Sequence, residues 1–423
     1  MLPKPENLDE GVRVGIIGAG AVGLGCAFYL QSRGYQVDVI DPRGPGEGAS
    51  RGNAGIIATS EVFPVARPAT FRKLPRMLLD PIGPLVIRWR YAPMIAPWLV
   101  RFLMASRPSE VSRISLALST LLAPAMDAWR DVVGACGVED RLVSQGWLKL
   151  LRTEADVSAA AREAGVQREL GVAVEVLDAR GVSDLEPAIA PNFAGGVFFP
   201  TAGNLTSPLG MLRILAEHVA ERGVSFVKAE VADIQVIGDR PTVIDTSGMH
   251  RAYDRVVIAA GAWSRRLVQR LGSDVFLDTE RGYHVMLPTP PHTLKRAVTV
   301  LSPGYSMVQM EDGIRLTTGV EFAGLDAAPD FRRIRRMITH AQTTLPGLSS
   351  EPLSEWLGFR PSMPRSMPVI GPLENHPHII VAFGHGHLGL TLGPLTGRIV
   401  HAMMSGLTPP VDVAQFLPAQ NAR

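Results

Sequence analysis

The 423-residue chain carries two cysteines, Cys26 and Cys136, each among apolar neighbours. Two thiols form neither a disulfide framework nor a Cys-rich metal set, and they suit a reducing compartment. No run of eighteen apolar residues free of charge occurs, so no transmembrane helix is expected. An excess of one charge is also missing. Forty-two Lys and Arg against 40 Asp and Glu leave a net charge of +2, which argues against nucleic acid as a partner. The opening residues, MLPKPENLDEGVRV, lack the apolar core of a signal peptide, so a cytoplasmic location is expected. No Ser/His/Asp arrangement, Walker loop or metal-ligand spacing is found, and no metal site is expected.

What is present is apolar material, 46% of residues, in a chain long enough for two domains or one domain carrying another as insertions. VRVGIIG (12–18) reads as a buried strand, 21–33 as a helix ended by Gly34, and 36–40 as a second strand ended by Asp41. That is a parallel β-α-β unit. Residues 208–222 read as a helix, VSFVKAEVADIQVI as one strand, and YDRVVIAAGAW as a buried strand entering a small-residue turn. RGYHVMLP, RAVTVLSP, YSMVQME and GIRLTTGVEF are short, closely spaced strands of an antiparallel sheet. The fold class is therefore α/β (α+β): a discontinuous Rossmann-like nucleotide domain over 1–60, 205–272 and 353–423, with a second domain of 61–204 and 273–352 inserted in it.

The junction of first strand and helix is GAGAVG. Gly18 allows the tight turn, Gly20 lets backbone approach a pyrophosphate, and Gly23 lets helix pack on strand. Ala21 and Val22 begin the helix, whose free N–H groups and partial positive charge favour phosphate. Asp41, 23 residues after Gly18, suits ribose hydroxyls and disfavours the 2′-phosphate of NADP. The choice between FAD and NAD turns on GEGASRGNAGIIA, which offers backbone N–H groups and the Ser50 hydroxyl to further phosphate and has little bulk to keep a ring system away.

GAGAVG with Asp41, the GASRGNAG loop, VVIAAGAW, GFRPSMPRSMPVIG and GHGHLGLTLGPLTG, in this order and spacing, resemble the D-amino-acid oxidase superfamily of FAD enzymes. Within it the sequence is similar to bacterial D-amino-acid dehydrogenases and their D-hydroxyproline and D-proline relatives. The resemblance implies that FAD is the cofactor and that Ser50 contacts its phosphates. It also implies that Asn53, Ala54 and Gly55 lie near the flavin, that Val231 meets the adenine, and that Gly261, His387, Leu388 and Gly389 border the cofactor. Some sarcosine-type members of that superfamily tie the flavin to a cysteine in the C-terminal half; no cysteine follows Cys136 here, so the resemblance implies non-covalent FAD.

Oxidising an amino acid at Cα needs an anchor for the carboxylate, a neutral amine and a Cα–H set against the flavin. Arg360 in GFRP is the expected anchor, because a guanidinium grips a carboxylate with two bonds and stays charged when partly desolvated. Tyr283 and His284 alternate on a strand, so one of them is expected to line the pocket, with Tyr305 nearby. Arg365 has no assigned role. Residues 64–108 hold Arg67, Arg72, Lys73, Arg76, Arg88, Arg90, Arg101 and Arg107 against Asp80 alone, mixed with Trp, Phe and Leu. This composition suits peripheral attachment to anionic lipid on the cytoplasmic face of the inner membrane. The function expected is an FAD-dependent dehydrogenase of D-amino acids or cyclic imino acids that passes electrons to a quinone or other carrier. A glycine- or sarcosine-type oxidase using oxygen, and a flavin-binding subunit of a larger complex, are the rival readings.

Overall fold

The computed structural model describes residues 11–68, 85–290 and 293–421. Strand β1 (Arg13–Ile17) is buried at four successive positions, the signature of a strand covered on both faces. It lies inside a six-stranded sheet between β2 (Gln36–Ile40) and β14 (Arg255–Ile258), both parallel to it, with Ile16 level with Val39 and Val257. β10 (Ser225–Val227) extends the sheet beyond β2, and β21 (His376–Phe383) beyond β14, each again parallel. β20 (Val369–Leu373) closes the far edge antiparallel to β21. The helix Ala21–Gln31 packs on the late helix Gly389–Met404 with their backbones in contact. A Cβ on Gly397 would stand 2.1 Å from the Gly25 carbonyl oxygen, so the glycines of LGPLTG join the two ends of the chain.

The second large sheet has nine strands. Eight run in the order β19 (Ser354–Ser362), β15 (Asp278–Leu287), β18 (Gly313–Phe322), β17 (Tyr305–Met310), β16 (Ala297–Val300), β6 (Trp147–Leu151), β8 (Gly195–Phe199) and β7 (Glu175–Asp178). β4 (Leu85–Ile87) runs parallel beside β18. One face is apolar: Tyr283, Val285, Val298, Met307 and Leu316 share a core with Ile334, Met337 and Ile338 of the covering helix Arg332–Thr344. The other face carries a cross-strand row of Trp356, His284, Thr317, Ser306, Thr299 and Lys149, each the partner of the next. Two small sheets complete the fold, one of β11 (Val231–Ile237), β12 (Arg240–Asp245) and β13 (His250–Ala252), the other of β3 (Ile56–Ile57), β9 (Gly203–Leu205) and β5 (Leu142–Val143).

The structure corrects two expectations. VSFVKAEVADIQVI is not one strand: it breaks after Val227, where Ala229 N bonds back to Val227 O at 3.0 Å, and resumes as β11 in another sheet. The boundary at 353 is also misplaced, because β19 pairs along its length with β15 and so joins the antiparallel sheet. Of the basic segment, residues 69–84, with Arg72, Lys73, Arg76 and Asp80, lie outside the described residues. Its remainder forms β4, a 3-10 turn at Trp89–Tyr91 and the helix Ala92–Ala105. Among the described residues no helix is long and apolar enough to cross a membrane.

Two glycines after β1 differ in what requires them. Gly18 has φ +108, and a Cβ there would stand 2.4 Å from the Ala259 carbonyl oxygen. Gly20 has φ −78, and its Cβ would meet only the Ser50 hydroxyl at 3.5 Å. Gly18→Ala is expected to destabilise the protein by roughly 2 kcal/mol or more. Gly20→Ala should change stability by less than about 0.5 kcal/mol yet reduce the dinucleotide carried through purification. Denaturant midpoints and bound-ligand content of the two variants check both statements.

Candidate active site

A cavity of ≈ 620 Å³ lies between the carboxyl ends of β1, β2 and β14 and the polar face of the nine-stranded sheet. This is where an open parallel sheet presents its ligand site. Its nucleotide side begins at Gly18, Gly20, Ala21 and Val22. The N-cap of the helix Ala21–Gln31 is Gly20, which has no side chain to cap it, and its first turn has no acidic residue, so its positive end is open toward the cavity. Ser50 Oγ accepts from Ala21 N at 3.1 Å, which leaves the hydroxyl proton to donate into the cavity. Asp41 is fixed by accepting Arg43 N (2.8 Å), Gly44 N (3.0 Å) and Ala19 N (3.0 Å), and it borders the space a ribose would take. Val231 and Gly261 border the same end. The space above Gly20 is closed to a side chain by nothing but a ligand. Together with the open helix end and the acid at β2, it fits the pyrophosphate and ribose of FAD.

The GASRGNAG loop is held from the other sheet. Asn53 Oδ1 accepts from Gly55 N at 2.8 Å, and its carbonyl accepts from Arg315 Nη1 at 2.6 Å. Burial pushes Arg315 down to about 10, which leaves it charged at neutral pH. His284 Nδ1 donates to the Gly52 carbonyl at 2.9 Å, and its ring stacks on Trp356 with centroids 5.1 Å apart. Burial, with Arg315 adding to it, lowers His284 to about 4, so the imidazole is neutral. Asn53 and Ala54 border the cavity.

Arg360 reaches the cavity from β19, where it is the cross-strand partner of Glu280. Its guanidinium lies over Gly282: a Cβ there would stand 2.4 Å from Nη2. Gly358, directly opposite Gly282, is covered in the same way by the Trp356 ring, 1.9 Å from its would-be Cβ. Arg360 Nη1 donates to the Gly319 carbonyl at 3.1 Å, and no carboxylate stands within ion-pair distance among the described residues. Burial lowers the Arg360 pKa while Glu280 opposes that shift. Across the cavity, Glu61 pairs with Lys149 and stands 3.9 Å from His387 Nε2. Burial pushes Glu61 up, but Lys149, His387 and Arg67 together hold it below the ordinary carboxylate value. His387 lies between the two charged ends, coupled to Glu61, Glu280, Arg360 and Lys149, and burial lowers its pKa. Trp147, Ser306 and Thr317 complete this end, with Trp147 Nε1 donating to Thr299 Oγ1 (2.9 Å), which is hydrogen-bonded to Ser306 Oγ at 2.7 Å.

Several expected residues are not at the cavity. Tyr305 stands on the apolar face of its sheet, where its hydroxyl meets His340 O (3.0 Å) and Thr344 Oγ1 (2.6 Å) beneath the covering helix. Tyr283 borders the cavity, but its ring packs against Phe331 on that same apolar face and its hydroxyl donates to Glu321 Oε2 at 2.6 Å. Burial and that carboxylate raise it to about 12. His284 is on the correct face yet is covered by Trp356 and does not border the cavity. Gly23 lies against the Gly18 carbonyl, Gly55 against the Leu205 carbonyl, and Leu388 is in the core, so these three shape the walls from behind. Gly389 borders the cavity. Buried His385, with its Nε2 3.0 Å from Thr396 Oγ1 and a pKa pushed down to about 3 by burial, is held neutral at its rim. Arg365 does not border it: Nη1 donates to Gln420 O at 2.7 Å and ties the last helix to the body. Trp356, Glu61, Ser306 and Thr317 were missed by sequence reasoning. For Trp356, Ser306 and Thr317 the only signal is period-2 alternation, which shows faces but not which strands adjoin, and Glu61, in the loop after β3, has none.

Comparison with known proteins bears on the family of the chain. A family model for DAO, FAD dependent oxidoreductase, matches residues 13–403. The chain is 35% identical to a D-amino-acid oxidase of Bradyrhizobium diazoefficiens, across 98% of this chain and 100% of that protein. It is 30% identical to a D-amino acid dehydrogenase of Granulibacter bethesdensis, across 97% of this chain and 100% of the relative. In fold it is similar to a glycine oxidase from Geobacillus kaustophilus, with TM-score 0.75 and 24% identity over 96% of this chain and 98% of that one. The L-proline dehydrogenase of P. horikoshii gives 0.73 and 19% over 97% and 98%. The glycine turn, the acid at β2 and a family match that spans nearly the whole sequence lead to one assignment: the chain belongs to the DAO family of FAD-dependent oxidoreductases.

Proposed function

We propose that this protein oxidises D-amino acids at Cα, with Arg360 as the anchor of the substrate carboxylate. The observation that carries the proposal is a guanidinium at the cavity wall with a single hydrogen bond and no ion pair among the described residues. It has N–H groups left to grip a carboxylate with two bonds. Names of full-length relatives, D-amino-acid oxidase and D-amino acid dehydrogenase, support the substrate class. Bound FAD supplies the acceptor for two electrons. The chain's part is positional: Arg360 holds one end of the substrate, while Ser306, Thr317 and Trp147 bound the space for its side chain. The Cα–H leaves with its electron pair as the nitrogen lone pair forms a C=N bond. Water then converts the imine to a 2-oxo acid and ammonia, or a cyclic imine remains when the substrate is a proline.

The electron acceptor is a quinone or similar carrier at a membrane surface, reached through the helix Ala92–Ala105. Met94, Val100, Leu103 and Met104 are exposed there, with Trp89 before them and the exposed Arg90 and Arg107 at the two ends. Arg88 and Arg101 do not serve this surface, since Arg88 pairs with Glu321 and Arg101 lies 3.4 Å over the Phe276 ring. Direct use of oxygen is a second reading, favoured by the relative that is named an oxidase.

Anaerobic mixing with D- and L-amino acids, including D-proline and D-hydroxyproline, should bleach the flavin bands with D-enantiomers; bleaching by L-enantiomers alone would overturn the proposal. Arg360→Ala should raise KM by about 30- to 1,000-fold, or about 2 to 4 kcal/mol, with FAD retained. An unchanged KM would make Arg360 structural. Co-sedimentation with vesicles rich in anionic lipid at low salt should capture the protein, and Val100→Glu with Met104→Glu should release it. Oxygen uptake at the rate of dye reduction would favour the oxidase reading.

A further inference from the structure

β15 and β18 slip by one residue at a single place. Arg281 is opposite Glu321 but Tyr283 is opposite Thr318, so Gly319 and Val320 together face Gly282. Gly319 has φ +75, the left-handed residue with which this kind of bulge opens. The bulge presents the Gly319 carbonyl to Arg360 Nη1 at 3.1 Å, and Gly282 leaves the gap that the guanidinium fills. A neutral carbonyl can orient a guanidinium without cancelling its charge, which a carboxylate in that place would do.

Glu321 follows the bulge and faces away from the cavity. Its Oε1 accepts from Arg88 Nε at 2.7 Å, its Oε2 accepts from the Tyr283 hydroxyl at 2.6 Å, and Arg281 Nε stands 3.3 Å from Oε2. The Arg281 side chain has no exposure, and Glu321 is its ion-pair partner. The Tyr283 hydroxyl also accepts from Asp330 N at 3.2 Å, tying the carboxylate to the segment before the covering helix. A bulge costs a ladder bond and persists only where its surroundings fix it.

We propose that Glu321 is a positioning residue for Arg360: its contacts with Arg88, Tyr283 and Arg281 lock the Gly319–Val320 bulge and so the carbonyl that aims the guanidinium. The proposal rests on the reading of Arg360 as the carboxylate anchor. Among the described residues Glu321 makes no hydrogen bond or ion pair with Arg360, so it acts through the strands and their bulge.

The test uses the FAD-loaded full chain and benzoate as a carboxylate that is not oxidised, with its Kd read from perturbation of the flavin absorbance. Glu321→Gln should weaken benzoate roughly tenfold and raise the D-amino-acid KM by a similar factor, with kcat within about threefold. In an Arg360→Lys background the same change should add less than about twofold, because the donor that the carbonyl orients is gone. An unchanged Kd in Glu321→Gln, or the same loss in both backgrounds, overturns the inference. If Arg360→Lys itself leaves benzoate binding intact, the anchor reading fails and takes this one with it. Should Glu321→Gln not fold, with Arg281 left without its counter-charge, the cycle is run with Tyr283→Phe. That variant keeps the ring and should cost about threefold with Arg360 present and nothing with Arg360→Lys.

Discussion

The Arg360 guanidinium rests on the bare backbone of Gly282 and donates to the Gly319 carbonyl, charged and without a carboxylate partner among the described residues. Removing such a group from water is costly unless dipoles or ligands replace the lost hydration. Here a carbonyl and the field of the cross-strand partner Glu280 replace part of it, and the remainder is left for an anion to supply. Two glycines make this possible. Gly282 and Gly358 are cross-strand partners, and a side chain on either would displace the guanidinium or the Trp356 ring. The same Trp356 covers Gly52 and stacks on His284, so the anchor strand and the GASRGNAG loop are held by one aromatic ring.

Three carboxylates around the site are each occupied by partners of their own. Glu321 is bound to Arg88 and Arg281 behind the sheet, Glu61 to Lys149 across the cavity, and Asp41 to backbone N–H groups at the nucleotide end. None of these three pairs with Arg360, whose nearest charge of opposite sign is its cross-strand partner Glu280. Buried pairs of this kind contribute little net stability, because desolvation offsets most of the attraction. Their consequence is electrostatic order: positive potential survives at Arg360 and at the open helix end, where a carboxylate and a pyrophosphate would sit.

What the sequence made legible is what local chemistry decides. The turn Gly18–Gly23, the strand to Asp41 and the arginine of GFRP are each specified within a few residues, and the structure brings them to one cavity. Alternation on RGYH predicted opposite faces for Tyr283 and His284, and they do lie on opposite faces. Neither presents its side chain to the cavity, however, because Tyr283 faces the covering helix and His284 is capped by a tryptophan 72 residues further on. Tyr305 failed for the same reason: parity along a strand does not say which face is closed by a helix. The Gly319 bulge was invisible because slippage between strands is a property of the pair, whereas GIRLTTGVEF read alone is simply a strand. GFRPS itself reads as stiff loop from its prolines, yet it forms β19, which lies at the edge of its sheet, where Pro361 has no outer neighbour to which it owes an N–H.

That edge position also explains how anchor and nucleotide shelf keep a fixed separation although they belong to different sheets. Ser362, the last residue of β19, forms an isolated antiparallel bridge with His385, which closes the loop after β21 of the parallel sheet. The Ser362 carbonyl accepts from Trp98 Nε1 at 3.1 Å, and His385 is fixed through Thr396 of the late helix. Arg360 is two residues before this bridge and His387 two residues after it, so one cavity residue from each sheet is measured from one backbone contact. Hydride transfer is steeply sensitive to the placement of donor and acceptor. A main-chain bridge with buried side chains on both sides is stiffer than any contact between side-chain tips. It sets the distance between Arg360 and His387 by the geometry of a few peptide units, independently of the cavity wall that Ser306, Thr317 and Trp147 form.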